Sequence, residues 1–227
     1  MRDGASLGNA AQKAVLEQFL KRIELSAFLI TDGEHFKILP SAKDYKRIGT
    51  GDTGPNTGGM GAVSPAPFAD KDFMQKVHDR VAAPTIRGLR KEGIDYQAFL
   101  LDLFEGIASG TLSECHVDVE DRTAVTIVMA AEGYPGKYAT GEPILGLESV
   151  KDAYVFQSGT AMKGDQLITN GGRVLSVTAF GKDLEQAIMA TYRSAALINF
   201  EGRYMRLDIG LDLVKKPTGK AATPQKA

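Results

Sequence analysis

The sequence predicts an α+β protein, and three observations predict it. Apolar residues recur at helical spacing over 69–92 and over 184–198. The second half carries four β-rich runs separated by turn sequences. Between these patterns lies D-Y-K-R-I-G-T-G-D-T-G-P-N-T-G-G-M-G-A-V-S-P (44–65), whose six glycines and two prolines make it neither helix nor ordinary strand.

In order, A-V-L-E-Q-F-L reads as a buried strand with Glu17 near its end. The next segment, E-L-S-A-F-L-I-T-D-G-E-H-F-K-I-L-P, reads as a hairpin. Leu25, Ala27 and Leu29 alternate with Ser26, Phe28 and Ile30, Asp32-Gly33 is a turn signal, and Phe36 to Leu39 returns. Pro40 ends that strand. After the glycine-rich loop, Phe73, Val77, Val81, Ile86 and Leu89 mark a helix over 69–92, with a break near Ala83 caused by Pro84. Tyr96 to Leu101 reads as a strand. It runs straight into a helix that Gly110 stops. A strand joined to a helix without a turn is a local inconsistency.

The β-rich runs are 124–131, 154–160, 166–169 and 173–181. The turns are Y-P-G (134–136), K-G-D (163–165) and N-G-G (170–172). An amphipathic helix over 184–198 and a short β segment up to Ile209 follow. The tail, K-K-P-T-G-K-A-A-T-P-Q-K-A (215–227), is basic and expected to be disordered.

Composition narrows the function classes. The 227 residues are 43% hydrophobic and 24% charged, the ordinary globular balance. A formal net charge of −1 gives no electrostatic case for nucleic acid or an acidic membrane. The single cysteine, Cys115, excludes an internal disulfide and a cysteine-based zinc cluster. No apolar run approaches the ~20 residues of a membrane span, and the first residues lack the apolar core of a signal peptide. A soluble cytoplasmic protein is the expectation. His35, His78 and His116 lie in unrelated contexts and read as surface residues.

The chemistry is expected in the loop. Glycines this dense let backbone N–H groups approach an anion. Lys46, Arg47, Asp52, Asn56 and Thr57 add charge and hydrogen-bonding capacity. Met60, Ala62 and Val63 are apolar and favour packing the loop down. A solvated, mobile linker is the alternative.

These residues also carry a resemblance. The 44–65 loop resembles the signature loop of the phosphoribosylamine–glycine ligase (glycinamide ribonucleotide synthetase) family of ATP-grasp enzymes. L-E-Q-F-L-K-R-I-E-L-S-A-F resembles that family's nucleotide-side hinge. G-Y-P-G-K-Y-A-T-G, T-N-G-G-R-V-L-S-V-T-A-F-G and F-E-G-R-Y-M-R-L-D-I-G resemble its C-terminal domain. The similarity covers about residues 7 to 213. It implies an incomplete ATP-grasp portion over 1–112, a small C-terminal α+β domain with a bent antiparallel sheet over 113–214, and the tail beyond.

The resemblance implies ATP-dependent joining of glycine to phosphoribosylamine through an acyl phosphate, with magnesium or manganese beside the ATP phosphates. Glu17 and the backbone at Leu20 would meet adenine, and Glu24 would hold the ribose hydroxyls. Arg22 stands where the family has a small residue. Lys46 and Arg47 would face phosphate groups. Asp52, Asn56, Thr57, Gly58, Gly59 and Met60 would shape the substrate pocket, and Arg173 and Arg206 would close over the substrate. The family's metal-binding glutamate and asparagine have no counterpart after Phe99-Leu100, so an internal segment is missing and no metal ligand is assigned. The competing readings are a non-catalytic remnant and a nucleotide- or anion-binding module.

Overall fold

The computed structural model describes residues 23–93 and 108–214. The strand expected around Glu17, the strand and helix expected between Tyr96 and Ile107, and the tail from Lys215 lie outside the described residues.

The first hairpin forms as expected. β1 (Leu29–Thr31) pairs antiparallel with β2 (Phe36–Ile38), with Leu29 opposite Ile38. Gly33 takes a left-handed φ of 91° in the turn, which suits a residue without Cβ.

The loop differs from expectation, because much of it is strand. β3 (Lys43–Asp44) pairs with β6 (Gly61–Ser64). Between them, β4 (Arg47–Gly49) and β5 (Thr53–Asn56) make a two-stranded ribbon of their own. Glycine density hid these strands. Gly61 belongs in β6 because a Cβ there would lie 2.8 Å from the Thr126 carbonyl oxygen and 2.9 Å from the Ile209 side chain. Its absence lets β6 lie against its neighbours.

Helix α1 (Lys71–Val77) starts where Asp70 accepts a hydrogen bond from the Phe73 N–H, at 2.8 Å. Its continuation is interrupted by a π-helical stretch, His78–Ala82, before α2 (Ala83–Lys91). Pro84 sits in the first turn of α2. It has no N–H for the regular ladder, and the wider turn before it absorbs the misfit.

The centre of the molecule is a six-stranded antiparallel sheet. β7 (Thr123–Ala131) lies between β6 and β11 (Arg173–Gly181), and β8 (Tyr154–Gln157) forms the far edge. β12 (Arg203–Tyr204) extends β7 at Ala130 and Ala131. β9 (Thr160–Lys163) and β10 (Gln166–Thr169) make a separate hairpin around the K-G-D turn. The run read as 154–160 therefore splits between β8 and β9. Helix α3 (Leu184–Ala196) is capped by Asp183, which accepts from the Gln186 N–H at 2.8 Å. It buries Leu184, Ala187, Ile188 and Thr191. Tyr45 and Val63 from the loop share a core cluster with Val125, Ile127, Leu184, Ala187 and Ile209.

β6 pairs with β7 along four residues, Gly61 to Ser64 against Ile127 to Ala124. Strands from both sides of residue 112 thus share one sheet. The glycine-rich segment is built onto the second half and is no solvated linker. Met60 and Val63 are fully buried, as the packing argument expects. Met60→Ala is expected to cost about 2–5 kcal/mol, the range for emptying a large buried side chain. Met189→Ala, at a 64% exposed position, is expected to change stability by about 0.5 kcal/mol or less. Urea unfolding of the two variants measures the difference.

Candidate functional site

The loop and the C-terminal segment meet at one cavity of about 710 Å³. Ile23, Glu24, Lys43, Asp44, Lys46, Arg47, Asp52, Asn56 and Asp212 line it. Its volume falls in the range of small-molecule sites. Five residues expected from sequence therefore come together: Glu24, Lys46, Arg47, Asp52 and Asn56. Glu17 and Leu20 lie outside the described residues.

Lys46 is held by the Asp44 carboxylate. That hydrogen bond, followed by the Asp44 and Glu24 charges, keeps the ammonium above its usual range, while burial and the Arg173 charge oppose it. Lys46 therefore stays protonated. Arg47 donates to the Gly54 carbonyl across the ribbon, at 2.7 Å. Thr57 bonds to the Lys46 carbonyl and also accepts from the Gly59 N–H, so its hydroxyl braces the loop. Arg173 donates to the Gly58 carbonyl at 2.6 Å. A Cβ at Gly58 would lie 2.8 Å from the Arg173 guanidinium carbon, so a side chain there would make the guanidinium shift from this position. Met60 contributes through packing, being wholly enclosed.

Arg206 is not on the cavity wall. It is 1% exposed, where the sequence reading has it close over the substrate, and its donors turn to protein groups instead. Nε and Nη2 form a fork on Asp208, at 2.8 and 2.7 Å. Nη1 donates to Asp52 at 2.7 Å and to the Arg47 carbonyl at 3.1 Å. Burial opposes the charge, and the two carboxylates more than offset it. Asp52 pays for its place with a left-handed φ of 54°, a conformation that costs a non-glycine residue about 1 kcal/mol.

A second network sits beside it. Tyr45 is buried and donates to Asp212 at 2.6 Å, while accepting from the Gly210 N–H at 3.0 Å. Lys43 donates to the other Asp212 oxygen. Burial, then the Asp212 bond and charge, push the Tyr45 phenol well up, so it remains a donor. Lys43 Nζ lies 4.2 Å from the Tyr45 ring centre and the Arg206 guanidinium 5.2 Å from it, within cation–π range.

Sequence reading missed Lys43, Asp44, Tyr45, Asp208 and Asp212. The signal was there in part. D-I-G-L-D places two carboxylates beside an arginine in an otherwise apolar segment, a pattern that asks for buried partners.

A family model for phosphoribosylglycinamide synthetase, ATP-grasp (A) domain, matches residues 1–112, and one for phosphoribosylglycinamide synthetase, C domain, matches residues 124–212. The chain belongs to the phosphoribosylglycinamide synthetase family. It is 39% identical to the phosphoribosylamine–glycine ligase of Chlorobaculum tepidum over 89% of this chain and 57% of that protein. The Yersinia pestis ligase gives 39% identity over 92% of this chain and 58% of that one. A solved phosphoribosylamine–glycine ligase from Thermotoga maritima superposes with a TM-score of 0.72 at 32% identity, covering 85% of this chain and 57% of that one.

The chain thus spans a little over half the length of these synthetase-family relatives. The Chlorobaculum comparison extends over 242 positions, more than this chain can fill, so the relative carries several dozen residues without a counterpart here. A divalent metal does not fit the described carboxylates of the synthetase-family cavity. Of the four described carboxylates that line it, Asp44, Asp52 and Asp212 are each engaged by a cation of the protein, and Glu24 faces the Lys46 charge. Among the described residues, no group of three or more His, Cys, Asp or Glu is placed so that it could hold a metal ion.

Asp208 and Asp212 give the site a pH signature. Burial raises both carboxyls, but bonds from Arg206 to Asp208 and from Lys43 and Tyr45 to Asp212 more than offset it, so both lie below the usual carboxylate value. Their stabilisation is fully present above the unfolded value near 3.8 and is lost as pH falls through the lower folded values. Asp208→Asn is therefore expected to lower urea stability most at pH 6–7. The gap to the wild type is expected to close as pH drops below about 4, and a gap constant with pH would contradict this account.

Proposed function

We propose that this chain is a portion of an ATP-dependent ligase that joins glycine to phosphoribosylamine, giving glycinamide ribonucleotide in purine biosynthesis. The observation that carries the reading is one cavity where Glu24, Lys46, Arg47, Asp52 and Asn56 converge in a chain of the synthetase family. A carboxylate is a poor acyl donor, so glycine takes the terminal phosphoryl group of ATP as a glycyl phosphate. The amine lone pair of phosphoribosylamine then attacks the acyl carbon. Phosphate leaves with the bonding electrons, and the amine gives up a proton.

The chain's own groups fit the binding side of this chemistry. Glu24 is a carboxylate acceptor suited to ribose hydroxyls, and Glu17 and Leu20 are proposed to meet the adenine. Lys46, Arg47 and Arg173 offer positive charge to phosphate oxygens. Asp52, Asn56, Thr57, Gly58, Gly59 and Met60 are proposed to shape the substrate side. Residues 1–112 are proposed as the partial ATP-grasp portion, 113–214 as the C-terminal domain and 215–227 as a basic tail. Magnesium or manganese would be held by residues this chain does not supply. A cytoplasmic location belongs to the same reading.

The 227-residue chain by itself is expected to bind nucleotide weakly and to be inactive. Catalytic groups act as a set, and losing one part commonly costs orders of magnitude. The purified chain is tested with ATP, magnesium, glycine and phosphoribosylamine, following phosphate release that needs both substrates. No release is expected. ATP affinity is expected to fall about tenfold in Glu24→Ala, the scale of one hydrogen bond to a charged group. Turnover that Glu24→Ala abolishes would overturn the inactivity. It would point to acidic residues such as Asp102 or Glu105, which lie outside the described residues, as holders of the metal.

A further inference from the structure

We propose that Arg206 is a positioning residue, which clamps the β4–β5 ribbon and so fixes Arg47, Asp52 and Asn56 at the cavity. The inference deepens the ligase reading and rests on it for the identity of the ligand, but not for the clamp itself.

The ribbon has little to hold it in place. All four residues of β5 are exposed, and among the described residues the ribbon pairs only with itself, outside the six-stranded sheet. Its fixed points come from residues 204–208. The Tyr204 hydroxyl donates to the Ile48 carbonyl at 2.7 Å. Arg206 donates to the Arg47 carbonyl and to Asp52. Asp208 accepts from the Gly51 N–H at 2.8 Å. Four hydrogen bonds thus run from one short segment to Arg47, Ile48, Gly51 and Asp52.

The segment that supplies them is anchored in the core. β12 pairs with β7. The Tyr192 hydroxyl of α3 donates to the Arg206 carbonyl at 3.1 Å and accepts from the Ile209 N–H at 2.9 Å. Ile209 is fully buried. A rigid sheet therefore reaches through Arg206 to a ribbon that carries three cavity residues. Four of the five guanidinium N–H donors are committed to protein acceptors in this arrangement. That leaves Arg206 poorly placed to grip a ligand and well placed to hold the groups that do.

The test reads ribbon order and ligand binding separately. Backbone hydrogen exchange is followed over 47–56, with β7 amides as the reference for global stability, in wild type, Arg206→Met, Arg206→Lys and Tyr204→Phe. Affinities for ATP and for ribose 5-phosphate are measured on the same proteins. Arg206→Met is expected to speed ribbon exchange about tenfold relative to β7, with a matching loss of ribose 5-phosphate affinity. Arg206→Lys is expected to recover little, since an ammonium cannot reproduce the fork. Tyr204→Phe removes one tether without touching the buried charge. It is expected to shift both readouts in the same direction by less, and keeps the test decisive if Arg206→Met fails to fold. Affinity lost with ribbon exchange unchanged would overturn the clamp and make Arg206 a direct ligand contact. Exchange unchanged in every folded variant would also overturn it. A wild type that binds neither probe would count against the ligase reading, and the exchange measurement would still decide the clamp.

Discussion

A guanidinium at 1% exposure is the constraint on which the rest of this structure turns. A buried charge without partners costs several kcal/mol, so Arg206 dictates where carboxylates must stand. Asp208 supplies a fork from two residues along the chain, and Asp52 comes from 154 residues away. Satisfying that charge draws the turn of the glycine-rich ribbon against the C-terminal segment. The Tyr45–Lys43–Asp212 network repeats the device one layer over, joining β3 to the turn at Leu211–Leu213. Two polar networks therefore tie the loop to the far end of the chain, each with its cation or phenol buried and a carboxylate reaching toward the cavity.

The hydrophobic core takes up the same junction. Tyr45 and Val63 pack with Val125, Ile127, Ile188 and Ile209, so the loop is one wall of the sheet's core. β6 adds backbone pairing along β7. Polar and apolar terms point to one arrangement, which is what gives a fold a single well-defined minimum. It also explains why a segment so rich in glycine is not a loose linker. Its glycines serve close approach, at Gly61 against Thr126 and at Gly58 beneath Arg173, more than they serve freedom.

Much of this was legible in the sequence where the signal is local. The β-rich runs, the hairpin turns, the amphipathic helix and the proline break all depend on neighbours within a few residues. The strands inside 44–65 were not legible, because glycine masks the period-2 pattern and β6 finds its second partner, β7, some sixty residues on. Burial of Arg206 was not legible either. M-R-L-D-I-G alternates like a half-exposed strand, and nothing local shows that Asp52 will cover the charge. Five cavity residues were anticipated, while Lys43, Asp44 and Asp212 were passed over. They are ordinary charged residues until the fold brings them together.

This division has a consequence for function. The elements that resemble a ligand site are held by the second half of the molecule, through β7, α3 and residues 204–212. Binding groups can thus stay positioned in a chain that spans only part of its relatives, since their supports lie within it. Catalysis asks for more. Phosphoryl transfer needs charge neutralised at the phosphates, and three of the four described cavity carboxylates are already committed to Lys43, Lys46 and Arg206. Freeing one of them for a metal would strip a partner from a buried cation or open the loop's brace. The same ion pairs that preserve the shape of the cavity therefore withhold three of its carboxylates, Asp44, Asp52 and Asp212, from metal chemistry. Holding the cavity groups in place and supplying a metal site are therefore separate demands, and the described ion pairs serve the first.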